Sequence, residues 1–286
     1  IGVSVTEALV ERDVEVTVIE MKERILNTIL DKEASAIEDA ALKQAGVSIV
    51  TDHTVVEVGS NGRMASHVTL DDGQQISCNL VIVAIGVSPR TELVSGTGLK
   101  INRGIMVDRH MATSRPDVYA CGDVAEAYDL VYDECRLTPV WPNAYLGGRI
   151  AGLNMVGRMT GYPGGTAMNS MKYFGLDVVS AGMVNPSDES YEVLSANYDS
   201  TYRKVVLKDG LLVGMVFAGN IEKSGIVFNL IKDKVKVNHF KQALVAPDFS
   251  LISLPQELWR SRLEVPPSGL VSLVSPEPPE EVVITE

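Results

Sequence analysis

Apolar positions recur at helical spacing from Ile1 to about Arg12, with Val5, Ala8, Leu9 and Val10 on one stripe. The run Val14-Glu15-Val16-Thr17-Val18-Ile19 follows, β-branched except at Glu15, and predicts a largely buried parallel strand. From Asp31 to Gly46, Ala34, Ile37, Ala41, Leu42 and Ala45 fall on one helical face, and Gly46 stops the helix. Val47 to Val50 predicts a second strand. Helix, strand, helix, strand is half of a βαβ pattern, so an opening strand is expected upstream of Ile1.

The pattern then changes to alternation. Val55, Val58, Val68, Leu70 and Ile76, with turn signals at Asn61-Gly62 and Asp72-Gly73, predict an antiparallel excursion. Leu80-Val81-Ile82-Val83-Ala84 predicts a return to the parallel sheet, ending in Gly86. Two short strands are expected between Ile101 and Asp123, the second at Val118-Tyr119-Ala120, then a helix from Trp141 to about Arg158. Gly161-Tyr162-Pro163-Gly164-Gly165 marks a joint. Beyond it come strands at Val178 to Val184 and Tyr191 to Tyr198, a hairpin from Tyr202 to Ala218 turning at Asp209-Gly210, and a helix from Ile221 to Val235. After Arg262, five prolines among acidic residues suit an extended or disordered tail.

Composition narrows what such a chain can do. Its 286 residues are 45% hydrophobic and 22% charged, enough for more than one packed core. A net charge of −12 argues against nucleic acid, whose binding needs clustered Lys and Arg. There is no apolar stretch near 18 residues to span a membrane and no signal-peptide core. The three cysteines, Cys78, Cys121 and Cys135, have no disulfide or metal spacing, which favours a reducing, cytoplasmic setting and no metal. Cys78 and Cys121 are expected to be buried and inert.

Two constellations carry chemistry on their own residues. At Tyr119-Ala120-Cys121-Gly122-Asp123 a strand ends on small residues and presents an Asp. Gly lets backbone approach a ligand, and a carboxylate there accepts from ribitol or ribose hydroxyls. At the start, Gly2 opens a helix and Glu20 ends the next strand, the position where an acid accepts from an adenosine 2′-hydroxyl and repels a 2′-phosphate.

The run from Thr113 to Asp129 resembles the second FAD fingerprint of the pyridine nucleotide–disulfide oxidoreductase family, and Ile1 to Glu20 resembles the end of its NAD motif. The likeness extends to about residue 255 and is strongest to the branch holding NADH oxidases, rubredoxin reductases and nitrite reductase flavoproteins. It implies an α/β fold with Rossmann-like NAD and FAD domains, both incomplete at the N-terminus, and a small α+β C-terminal domain. The implied bounds are 1–86 for NAD, 87–160 for FAD, 161–258 for the C-terminal domain and 259–286 for the tail. Gly122, Asp123 and Val124 would then meet FAD, and Gly86, in Ala84-Ile85-Gly86-Val87-Ser88-Pro89, would let the chain pass close to NADH. Trp141, Asn143 and Ala144, at a helix start with Pro142, would face the flavin's N1–O2 edge.

The activity implied is hydride transfer from NADH to FAD and onward to oxygen or a small electron carrier, in a homodimer. The C-terminal domain is expected to form that dimer, because Leu211 to Phe217 is apolar on both faces. Two alternatives stand: a coenzyme A-type disulfide reductase, or a non-catalytic NAD-binding or dimerisation module. The chain departs from the family at Val3-Ser4, where many members have Leu-Glu reaching the nicotinamide. It also departs at His239, which lacks the His-x-x-x-x-Glu acid–base pair, and no catalytic residue is assigned.

Overall fold

The computed structural model describes residues 1–263, so the proline-rich tail lies outside the described residues. Helix α1 (Gly2–Val10) and strand β1 (Thr17–Ile19) precede α2 (Lys32–Gln44) and β2 (Ser48–Val50), and β1 pairs with β2 in parallel. Asp31 caps α2 by accepting from the Ala34 amide at 3.1 Å, and Gly46, at φ 88°, takes the left-handed turn that ends it.

The antiparallel excursion forms as expected: β3 (Val55–Ser60), β4 (Ala65–Leu70) and β5 (Gln75–Ser77) lie in that order. The parallel strands are shorter than their patterns predict. Only Thr17–Ile19 of the run from Val14 is strand, and Val14 is exposed. Leu80 to Ala84 forms no strand, and Leu80, Ile82, Val83 and Ile85 face solvent. The physical reason is pairing: β1 and β2 form a two-stranded sheet, and no described strand lies beside residues 80–84 to accept their backbone groups.

Next, β6 (Ile105–Met106), β7 (Ala125–Asp129) and β8 (Glu134–Leu137) make a mixed sheet, followed by α3 (Trp141–Met155). The expected strand at Val118 to Ala120 reduces to one bridge, Ala112 to Tyr119, and the strand proper begins after the Gly122–Val124 turn.

The largest sheet runs β11 (Glu192–Tyr198), β12 (Thr201–Lys208), β13 (Leu211–Ala218), β10 (Leu176–Gly182), β9 (Met168–Tyr173). The hairpin turns at Asp209-Gly210 as expected; β9 was not anticipated. Helix α4 (Ser224–Lys232) covers one face with Val227, Leu230 and Ile231. The other face of β13, with Val216 and Ala218, packs with Tyr202 on Leu30 and Ala34 at the start of α2. Both apolar faces of β13 are thus covered within the chain, which removes the reason for placing a dimer interface there.

The join between α2 and this sheet is polar at its centre. The second carboxylate oxygen of Asp31 accepts from the Tyr202 hydroxyl and pairs with Lys204 at 2.9 Å, all three being buried. Glu7 on α1 accepts from the Phe174 amide at 2.6 Å and ties the first helix to the β9–β10 turn.

Candidate nucleotide and flavin site

Cys121 leads into a 3₁₀ turn at Gly122–Val124, between the Tyr119 bridge and β7. Gly122 has φ 78°, and a Cβ built there would meet nothing within 4 Å. Within the protein, only its backbone shape therefore argues for glycine. Asp123 is exposed, and no described residue hydrogen-bonds its carboxylate. Glu126, buried on β7 two residues after the turn, holds the 102–104 segment: it accepts from the Gly104 amide at 2.6 Å and from Asn102 at 3.2 Å.

Helix α3 starts beside this turn. A Cβ at Gly147 would stand 3.4 Å from that of Cys121, so small residues bring the helix close. Its first turn carries Pro142, has no side-chain cap and leaves Trp141 93% exposed. The Asn143 and Ala144 amides donate to the Val140 carbonyl, each at 3.1 Å. The Asn143 side chain donates to the Thr166 carbonyl at 3.3 Å. Asn143 and Ala144 are thus engaged within the chain, and Trp141 alone of the expected trio presents a free side chain. Behind the turn, a narrow cleft of about 20 Å³, between Met111, Tyr128, Arg136 and Tyr162, has room for little more than a water. That cleft is too small for a flavin, and Asp123 and Trp141 are exposed on the open side of the turn.

At the other end of the chain, Gly2 begins α1, and a Cβ there would lie 3.6 Å from that of Ala84. The helix start and residues 84–86 are thus neighbours, and Gly86, at φ 104°, has open space where a Cβ would project. Glu20 follows β1; its amide donates to Val50 at 2.9 Å, and one carboxylate oxygen accepts from the Lys22 amide at 2.8 Å. No described residue hydrogen-bonds its second oxygen.

Close by, the His53 amide donates to the Glu20 carbonyl. The His53 ring lies between two acids, with Nδ1 2.9 Å from Asp71 and Nε2 3.8 Å from Asp72. The hydrogen bond to Asp71 raises its pKa, and the three groups form a clasp beside the Glu20 loop. This clasp was not expected; residues 18 apart in sequence met through the β4–β5 turn, which no local pattern shows.

The three cysteines are free. Cys78 and Cys121 are half-buried, less than expected, and Cys135 is exposed. Partial burial, then Glu126, pushes the Cys135 thiol pKa up, against a role as a nucleophile.

Comparison with known proteins fits this geometry. Residues 1–146 match the pyridine nucleotide-disulphide oxidoreductase family, and residues 168–235 match the rubredoxin NAD+ reductase C-terminal domain. The chain belongs to the pyridine nucleotide-disulphide oxidoreductase family. That family uses FAD and a nicotinamide nucleotide, and the unengaged Asp123 carboxylate beside an unobstructed Gly122 fits the first of these.

Among relatives, the chain is 27% identical over 240 residues to nitrite reductase [NAD(P)H] of Bacillus subtilis, covering 83% of this chain and 29% of that one. It is 27% identical over 266 residues to the epsilon subunit of NADH-dependent phenylglyoxylate dehydrogenase of Aromatoleum evansii, covering 91% and 62%. An NAD-dependent persulfide reductase from A. fulgidus superposes with a TM-score of 0.77 at 26% identity, covering 92% of this chain and 53% of that one. The chain thus spans less than two thirds of the length of these relatives.

Proposed function

We propose that this chain serves an FAD-dependent NADH oxidoreductase that hands electrons to oxygen or a small electron carrier. The observation that carries the reading is Asp123, an exposed carboxylate with no partner among the described residues, on a glycine turn beside the start of α3. When bound, FAD accepts a hydride from NADH and releases electrons to the acceptor.

The chain's own residues bind and orient. Asp123 accepts from ribitol or ribose hydroxyls, and the positive end of α3 favours negative charge near Trp141. Glu20 accepts from the adenosine 2′-hydroxyl and disfavours a 2′-phosphate, which selects NADH. Gly2 and Gly86 leave the backbone near α1 open to the dinucleotide. Domain bounds near residues 86 and 160, a cytoplasmic setting and a homodimer belong to the same reading. With β13 covered on both faces, a dimer must close over other surface, such as the exposed Ile82, Val83 and Ile85.

The purified chain is tested by its absorbance near 450 nm, characteristic of oxidised flavin, and by bleaching of that band under anaerobic NADH. Bound flavin that NADH bleaches supports the proposal. A colourless chain that takes up no added FAD refutes it, and leaves the non-catalytic module as the better account.

A further inference from the structure

Strand β12 carries two consecutive buried cations, Arg203 at 3% exposure and Lys204 at 7%. Neighbouring strand residues point to opposite faces, so the two meet different surroundings. Lys204 faces α2 and has an acid, Asp31, at 2.9 Å. Arg203 faces the other way, beneath the segment from Lys241 to Ser250, and has none: no acid among the described residues comes within 4.0 Å of it. Its Nη1 donates to the Ala246 carbonyl, its guanidinium lies 5.3 Å from the Phe217 ring centre, and its Nε is buried without a partner. Burial pushes the guanidinium pKa down. A buried charge left unpaired is costly, and the same strand shows the paired alternative one residue away.

Arg203 also lines a cleft of about 220 Å³, with Asn220, Lys223 and Ser250 as further donors. By the same measure a water needs only about 10–15 Å³. The Asn220 carbonyl oxygen accepts from the Glu222 amide at 3.0 Å, which leaves its NH₂ group as donor. Helix α4 begins at this cleft with no side-chain cap and no acid in its first turn. Two carboxylates, Glu222 and Asp248, also line it, but both are exposed to water, and Glu222 is held by Lys223 at 3.2 Å. Solvent screens them as it does not screen Arg203.

We propose that this cleft on the C-terminal sheet is an anion site for a phosphate group, free or as a phosphomonoester, with Arg203 as its buried anchor. Lys223 and the first turn of α4 stand at its mouth. The site is separate from the Asp123 turn and does not depend on the redox reading.

The test is thermal denaturation of the full chain with inorganic phosphate, with glycerol 3-phosphate, and with sodium chloride at matched ionic strength. Both phosphates should raise Tm saturably, and chloride should not. A larger shift from glycerol 3-phosphate assigns the site to a phosphomonoester; equal shifts assign it to free phosphate. Arg203→Met removes the buried charge, so it should raise Tm in phosphate-free buffer and abolish the phosphate response. A purely structural arginine, acting through Ala246, predicts the reverse, a lower Tm without phosphate, and that result overturns the proposal. If Arg203→Met fails to fold, Lys223→Gln should weaken phosphate binding several-fold and Glu222→Gln should tighten it. An unchanged phosphate Kd in both, or a wild-type chain indifferent to both phosphates, also overturns it.

Discussion

Asp123 and Glu20 are each one carboxylate presented to a ligand, and single substitutions should read out each role. Asp123→Ala removes a charged acceptor and should weaken flavin retention by roughly 1.5–3 kcal/mol. The check is flavin loss on dialysis; full occupancy in the variant ends that assignment. Glu20→Arg should narrow or reverse the preference for NADH over NADPH, measured as the ratio of kcat/KM values. An unmodified enzyme that uses NADPH equally well contradicts the role given to Glu20. Glu38 on α2 is a different kind of residue. It is 1% exposed, one carboxylate oxygen has no partner, and burial, then Glu7, pushes its pKa from 4.5 up to about 7. Because the folded state raises this pKa, its stabilising contribution is complete below about pH 4.5 and is lost as pH rises through about 7. Glu38→Gln should therefore stabilise the chain at pH 8 by up to about 3 kcal/mol and flatten the pH dependence of Tm between about pH 5 and 8. A variant with the wild-type slope would show that Glu38 is not the group responsible.

Among elements, α2 has the most consequential position, since it packs on β2 and, through Leu30 and Ala34 at its start, on the C-terminal sheet. Asp31 joins the two: it caps α2, accepts from Tyr202 and pairs with Lys204. Asp31→Ala leaves a buried ammonium and a buried hydroxyl unmatched and should cost about 3–5 kcal/mol in denaturant unfolding. Adding Lys204→Met should recover much of that loss, because the unpaired charge is gone; additive penalties would argue that the pair matters only as a cap. The sequence placed Asp31 at the start of the helical stretch, through the spacing of the apolar residues that follow it. Its second role needed residues 171 and 173 positions away, which local pattern cannot report.

For the whole molecule, hydrogen exchange should divide the chain unevenly. The five-stranded sheet, buried on both faces at β13, should exchange slowest. Amides from Leu80 to Ile85 lie outside any strand and should exchange within seconds despite their apolar sequence. Strong protection there would mean that these residues are paired in solution, whether with β1 or with a second copy.

The chain's own pattern determined most elements and the glycine turn with Asp123, because helix period, strand alternation and turn chemistry are local. The α3 start at Trp141 and the antiparallel excursion at 54–77 were legible for the same reason. Tertiary structure alone decided which apolar runs are core. Val81 to Ala84 and Leu212 to Phe217 look alike as sequence, yet only the second finds neighbours on both sides and both faces. It also decided how the buried charges of Asp31, Lys204, Glu38 and Arg203 are met or left unmet. A side chain's charge is written in the sequence, but its partner and its distance from water depend on where distant segments come to rest.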